Sequence, residues 1–350
     1  MCGFRFEFVP VQMKVDLLRP DIQRPAGAAI GNGKFLGLCA QNVAIEPDRS
    51  GDVGNRQHQM IDCGNVWCHR QLPLSGQRHI LRFMNDDATQ GEHRQTDVLD
   101  PARAAAFEIA LGQAPTIRQG SALPPFFHQL YFWAPQPPDQ LGRDGHPKVG
   151  GLIPDMGLPR RMWAGGRLEF HAPLLAGVDA VKTSVLESAA RKDGRTGPLA
   201  FVTLRHDIHQ NGQLCLSEWH DLVYREDPSP DAPRPVPPMA ARDETDRHDV
   251  AFSSTLLFRY SALTFNGHRI HYDLDYARDV EGYAGLVVHG PLLAQHLMLL
   301  AQSHLGTLRR FAFRATAPLM HFETASLCWK DGDLWVRGPD GRQCMSATAD

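Results

Sequence analysis

The stretch 285-GLVVHGPLLAQHLMLLAQSHL-305 decides the fold. From Gly290 to Leu305 apolar side chains occupy most faces of a 3.6-residue period, the pattern of a helix buried nearly all round. Gly290-Pro291 suits its first turn, because proline's fixed φ and missing N–H are tolerated there and glycine admits a close neighbour. Four strand-like segments follow: LRRFAFRATAP at 308–318, HFETASLCWK at 321–330, DLWVRG at 333–338 and RQCMSATA at 342–349. Asp331-Gly332 and Asp340-Gly341 mark turns between them. One buried helix followed by an antiparallel meander implies a sheet wrapped around that helix, an α+β arrangement.

Upstream, STLLFRYSAL reads as a helix, and 227–243 (DPSPDAPRPVPPMAARD) reads as an extended, proline-rich linker and domain boundary. Before the linker lies a second meander: RLEFHAP at 167–173, VDAVKTSVLESA at 178–189, LAFVTLRHDI at 199–208 and LCLSEWHDLVYRE at 214–226. Its turn signals are Asp193-Gly194 and Asn211-Gly212. Asp100-Pro101 is an N-cap with a first-turn proline, opening the helical run ARAAAFEIAL. Residues 122–166 are rich in proline and glycine and read as an ordered loop region. Residues 1–83 show no sustained period and are expected to be an extension, disordered or absent in cells, with Met84 as the natural start.

The bulk numbers are those of a soluble globular protein: 350 residues, 43% hydrophobic, 21% charged, net charge −3. The near-neutral balance gives no footprint for nucleic acid or an anionic membrane. No run of about 18 apolar residues exists to span a bilayer. The N-terminus lacks the basic-then-apolar order of a secretory signal. Seven scattered cysteines, four of them before position 70, suggest no disulfide framework, so a reducing, cytoplasmic setting is expected. No metal is expected. His268 and His271 lack a third ligand at usual spacing, and Cys63, Cys68 and His69 lack a second pair. Gly31 to Phe35 fails the phosphate-loop pattern, and no G-x-S-x-G elbow is present.

Chemistry concentrates at 264-TFNGHRIHYD-273, directly before the apolar run, with Val288-His289-Gly290-Pro291 about 15 residues on. Backbone N–H groups at the start of the buried helix face whatever oxygen lies before them, with the helix dipole behind. Adding water to the β-carbon of an α,β-unsaturated thioester needs such donors for the carbonyl oxygen. It also needs a group such as histidine to take a proton from water and return one to the α-carbon. His268 reads equally as a water-positioning group or a loop cap. Asp273 reads as an orienting partner of His271 or as a turn residue.

The strings YSALTFNGHRIHYD and EGYAGLVVHGPLLA resemble the C-terminal hot-dog half of MaoC-like dehydratases. Within that superfamily the resemblance is to hydroxyacyl-thioester dehydratase type 2 and bacterial 3-methylfumaryl-CoA (mesaconyl-CoA) hydratases. LPPFFHQLYFW, DGHPKVGGLIP, LPRRMWAGGRLEFHAPL and HDLVYRE resemble the first half of the bacterial enzymes, so the likeness runs from about Asp97 to the C-terminus. It implies His271 as acid/base, and Gly290, beside His289, as the backbone donor to the thioester oxygen. The broader motif carries an aspartate five residues before the histidine, where this chain has Asn266. The motif's later asparagine and proline are replaced by His268 and Arg269. Asn266 can orient water or substrate but cannot accept a proton. Arg269 is a candidate partner for a free carboxylate on the acyl group, or for the CoA phosphates, or a surface residue.

The resemblance implies a double hot-dog fold: a non-catalytic first domain at 97–226, a linker at 227–244 and a catalytic domain at 245–350, with the site between the halves. The expected activity is hydration of an enoyl-CoA, 3-methylfumaryl-CoA to citramalyl-CoA. A 3-hydroxyacyl-thioester dehydratase of fatty acid synthesis and a non-catalytic acyl-CoA-binding protein are the alternatives. Coenzyme A is part of the substrate, no separate cofactor is expected, and a homodimer is an allowed assembly. Arg160, Arg161 and Lys182 are among the basic residues available to the CoA phosphates.

Overall fold

The computed structural model describes residues 58–62, 67–71, 91–148, 151–194, 197–227 and 236–350. The chain divides into two compact units, residues 1–79 and 80–350. In the first, β1 (His58–Asp62) pairs antiparallel with β2 (Trp67–Gln71). The rest of 1–83, with the expected extension and Met84 start, lies outside the described residues.

The second unit is built on one ten-stranded sheet. Its strands are β3 (Glu92–Val98), β4 (Arg160–Phe170), β5 (Asp179–Gly194), β6 (Gly197–Gln210), β7 (Gln213–Arg225), β8 (Asp246–Ala251), β9 (Arg310–Ala315), β10 (Thr324–Lys330), β11 (Asp333–Arg337) and β12 (Gln343–Ala349). Their spatial order is β3-β5-β6-β7-β4-β9-β12-β11-β10-β8. Five strands that precede the proline-rich segment thus join five that follow it, through the antiparallel β4–β9 pair (Gly166 opposite Phe313). This is a double hot-dog fold.

The elements form where local chemistry favours them. In α1 (Pro101–Ala110) the Asp100 carboxylate accepts from the Ala102 N–H at 2.8 Å, the N-cap read from the sequence. Asn211 and Gly212 both take positive φ (51° and 79°) and turn β6 into β7; Asp331 and Gly332 do the same between β10 and β11. Burial alternates along β6, so Val202, Leu204, His206 and Ile208 face inward. Helix α2 (Ser254–Thr264) is capped by Ser253, whose hydroxyl accepts from Leu256 N–H at 3.1 Å.

Helix α3 (Gly290–Leu305) is the buried helix. Its Leu292, Leu293, Leu297, Met298 and Ala301 are almost wholly buried and share one core with Phe311, Val336 and Met345. Each large apolar side chain so buried contributes roughly 1.5–3 kcal/mol. Phe107 of α1 lies 4.9 Å from Phe127 and 5.6 Å from Tyr260 of α2, tying the two halves together.

Several expectations need correction. Both sheet edges, β3 and β8, went unread: each pairs with one neighbour and is largely exposed, so no apolar alternation marks it. Asp193-Gly194 is not the turn itself but the end of β5, with Gly194 opposite Gly197. The helical run of the first half is the ten-residue α1, and Gly112, Pro115 and Pro124-Pro125 stop any continuation. The end of the linker is ordered: Ala240 packs with Cys328 and Trp335, and its N–H donates to Gly341 O at 2.9 Å. Among the described residues no helix is long and apolar enough to cross a membrane.

Candidate active site

Helix α2 stops at Phe265, which takes a left-handed conformation (φ 52°) and turns the chain into the polar cluster. The Asn266 N–H donates to Ser261 O at 2.8 Å, and the Asn266 side-chain oxygen accepts the His268 N–H at 3.0 Å. This bracket leads into a 3-10 turn, Arg269–His271, whose last residue enters the interior. The Val287 N–H donates to Ile270 O, and the His271 Nδ1 lies 2.7 Å from Val287 O. A carbonyl only accepts, so Nδ1 carries the proton and Nε2 of the neutral ring holds a lone pair. Burial, reinforced by the neighbouring His268, holds His271 well below the ordinary histidine range, so the ring is neutral at pH 7.

Beneath it lies His289, fully buried and stacked on His271 with ring centroids 3.7 Å apart. Its Nε2 is 2.8 Å from the Ser261 hydroxyl, and its Nδ1 has no hydrogen-bond partner. Burial keeps this ring neutral too. His289 is the N-cap residue of α3 but makes no side-chain cap bond, and Pro291 has no N–H to offer. The first N–H groups of a helix have no acceptor within it, so Gly290 presents its donor before α3 with the dipole aligned behind.

These groups bound a cavity of about 950 Å³. Asn266, His268, His271 and Gly290 line it from the C-terminal half; His146, Arg161, Trp163, Lys182, His206 and His220 line it from the other. A Cβ on Gly290 would fall 3.1 Å from Trp163 Cε3, so the ring is seated against the helix start. The loop at 142–147 abuts the motif loop. Asp144 O accepts the Arg269 N–H at 2.9 Å, and a Cβ on Gly145 (φ +85°) would sit 2.1 Å from Gly267 O. Only glycine fits there. The His146 ring then lies 4.3 Å from His268, which lies 5.2 Å from His271.

Asp144 Oδ2 is 2.9 Å from His146 Nδ1. Burial pushes the Asp144 carboxyl up, but the bond to His146 and the nearby imidazoles outweigh it and hold it below the usual carboxylate range. His268 is pushed down to about 3 by burial and by His146. Asp144, His146 and His268 each offer a donor atom within 4.8 Å of the others, a set the sequence did not reveal because His268 lies more than 120 residues from the other two. The Asp144–His146 hydrogen bond by itself accounts for the approach of the first two. Further along the wall, Glu218 is buried, 2.8 Å from His128 Nε2 and 2.9 Å from His220 Nε2. Lys182 beside it is pushed down to about 8 by burial.

Of the residues singled out in the sequence, the fold gathers Asn266, His268, His271 and Gly290 around one space, with His289 directly behind. Arg269 does not line the cavity. Its guanidinium is bound by Asp273 at 2.7 and 3.0 Å and lies over the Tyr276 ring. Asp273 is therefore a turn residue holding Arg269 and the Tyr276 N–H, and Val287 O orients His271 in its place. Arg160 is committed to Glu281 at 2.8 Å, both side chains buried. Trp163, His146 and the Glu218 cluster were missed; only the strings quoted for resemblance, which contain Trp163, His146, His128 and His220, pointed near them.

Residues 126–321 match the hydroxyacyl-thioester dehydratase type 2 family. The chain is 47% identical over 255 residues to mesaconyl-C(4)-CoA hydratase of Chloroflexus aurantiacus, covering 71% of this chain and 90% of that protein. It is 29% identical to the mitochondrial hydroxyacyl-thioester dehydratase type 2 of Schizosaccharomyces pombe, covering 62% of this chain and 81% of the relative. Among solved structures, a MaoC-like dehydratase from Phytophthora capsici superposes with TM-score 0.53 at 13% identity, covering 74% of this chain and 96% of the other. HtdX of Mycobacterium tuberculosis superposes with TM-score 0.51 at 19% identity, covering 73% and 98%. These two likenesses concern the fold alone.

Proposed function

The chain belongs to the hydroxyacyl-thioester dehydratase type 2 family, and on that premise we propose that it adds water to an α,β-unsaturated acyl-CoA thioester, with 3-methylfumaryl-CoA (mesaconyl-CoA) giving citramalyl-CoA. The observation that carries this reading is the His271–Val287 hydrogen bond. It fixes the tautomer whose Nε2 lone pair belongs to a ring lining the same cavity as the uncapped start of α3.

In this reading His271 Nε2 takes a proton from water, and the water oxygen bonds to the β-carbon. The π electrons move to the thioester oxygen, which the Gly290 N–H stabilises; one such donor is typically worth about 3–4 kcal/mol. The α-carbon then takes the proton from His271, which returns to its neutral form. Asn266 has one side-chain lone pair engaged by the His268 N–H, leaving its amide N–H groups to hold water or substrate. His268 completes the wall, and His289 supports His271 from below.

The second reading, dehydration of 3-hydroxyacyl thioesters in fatty acid synthesis, runs the same chemistry backwards and is favoured by the family match. His206, Glu218 and His220 on the wall suit a short polar acyl group better than an alkyl chain. No cofactor enters either reading. The cytoplasm fits, since Cys215, Cys328 and Cys344 are buried free thiols.

The test is hydration of a panel of neutral and carboxylated enoyl-CoA substrates by wild type and His271→Ala. Loss of kcat by about 10²–10⁴-fold with the fold retained supports the assignment. Turnover within a few-fold of wild type overturns it, and a protein that binds acyl-CoA but turns over nothing is a binding protein.

A further inference from the structure

On the hydratase reading above, a 3-methylfumaryl thioester carries its free carboxylate on the carbon that water attacks. That negative charge opposes attack at this carbon and the build-up of enolate charge unless a cation offsets it, so its partner must sit at the His271 end of the cavity. Arg269, the sequence's candidate, is already neutralised by Asp273 outside the lining.

Four other cations line the cavity. Arg143 is paired with Asp227 and Arg160 with Glu281. Lys182 has no ion-pair partner among the described residues, but it lies on β5, three strands from β4 in the order β5-β6-β7-β4. At about 4.8 Å per strand that is roughly 14 Å from Trp163, too far for a four-carbon acyl group held at Gly290.

Arg161 is different. It lies opposite Tyr224 in the β4–β7 pair, as Trp163 lies opposite Leu222, so it shares the face that carries Trp163 against Gly290. Two residues along a strand is about 7 Å. It lines the cavity together with His146 and His268, and its positive charge helps to lower both imidazoles. It lies near the Tyr224 hydroxyl, and among the described residues no carboxylate stands at ion-pair distance from it.

We propose that Arg161 is the specificity-determining residue that binds the free carboxylate of the acyl group, beside the carbon attacked by water. A planar guanidinium grips a carboxylate through two parallel N–H donors, which fixes the face of the double bond turned toward His271. The same contact selects the carboxylated thioester over neutral enoyl-CoAs of equal size.

The experiment compares 3-methylfumaryl-CoA with the methyl ester of its free carboxylate, reading kcat/KM for each. Wild type should prefer the acid by tenfold or more. Arg161→Gln should cut that preference by about 10- to 100-fold, and Arg161→Lys should recover part of it. Equal losses on both substrates in Arg161→Gln would assign the residue to the CoA phosphates and overturn the inference. So would a wild-type protein with no preference, a readout that stands even where the variants do not fold. A wild-type protein that hydrates neither compound overturns the hydratase reading itself.

Discussion

Gly290→Ala tests whether the start of α3 holds the thioester. The new Cβ would meet Trp163 Cε3 at 3.1 Å and Cζ3 at 3.4 Å, so the indole must retreat by a few tenths of an ångström. Phe313 stands at 4.7 Å on one side and Phe126, nearly parallel, at 6.5 Å on another, leaving the cavity as the open direction. The ring should therefore yield into the space the acyl group needs. Stability changes little, because alanine is the better helix former by up to about 1 kcal/mol and offsets part of the strain. Activity suffers more. A 1 Å displacement of reacting groups costs about 10²-fold, so half that shift, which also crowds the oxygen site, predicts a kcat loss of about 10- to 100-fold. The assay is a double-mutant cycle in hydration rate and urea midpoint with Trp163→Leu, which removes both clashing atoms. The double variant should be more active than the product of the two single effects predicts. Gly290→Ala within twofold of wild type, or strictly multiplicative losses, would refute the reasoning.

Two further outcomes follow from buried histidines. His271 is held well below the usual histidine range, so its base form persists on acidification; kcat/KM should stay level from pH 8 to 6, and a fall with a midpoint near 6.5 would contradict the assignment. His296, edge-on to Phe252 with an unpartnered Nε2, is pushed down to about 4 by burial. Between about 4 and 6.5 the unfolded chain binds the proton and the folded chain does not, so stability falls as pH drops through that window. At pH 5 the linkage amounts to about 2 kcal/mol. His296→Leu should remove that loss, and urea denaturation at pH 8 and 5 that shows equal acid sensitivity in both proteins would count against it.

Much of this molecule can be read from its residues where local chemistry and burial agree. Helix α3 declares itself because apolar residues occupy most of its faces, and Asn211-Gly212 because few other pairs accept positive φ twice in succession. Edge strands carry no such mark, since HRQTDV and DRHDVA serve a single neighbour and face solvent. The sequence left Arg269 open among three roles for a different reason. Its spacing of four from Asp273 is that of an ion pair on a helical turn, a local partner that outcompetes a substrate. His146, Arg161 and Trp163 could not be placed at all, because only the β4–β9 seam and the 142–147 loop carry them to a motif more than 100 residues away.

The crossing of Gly145 and Gly267 sets a gauge for anyone exchanging halves between relatives. Two main chains slide past each other there with only hydrogens between them, and any side chain at either position would wedge the loops apart. A graft from another hydratase will thus reproduce the geometry around His271 only if both parents leave this doorway bare. Libraries confined to 264–290 would sample one jamb of it and never touch the other.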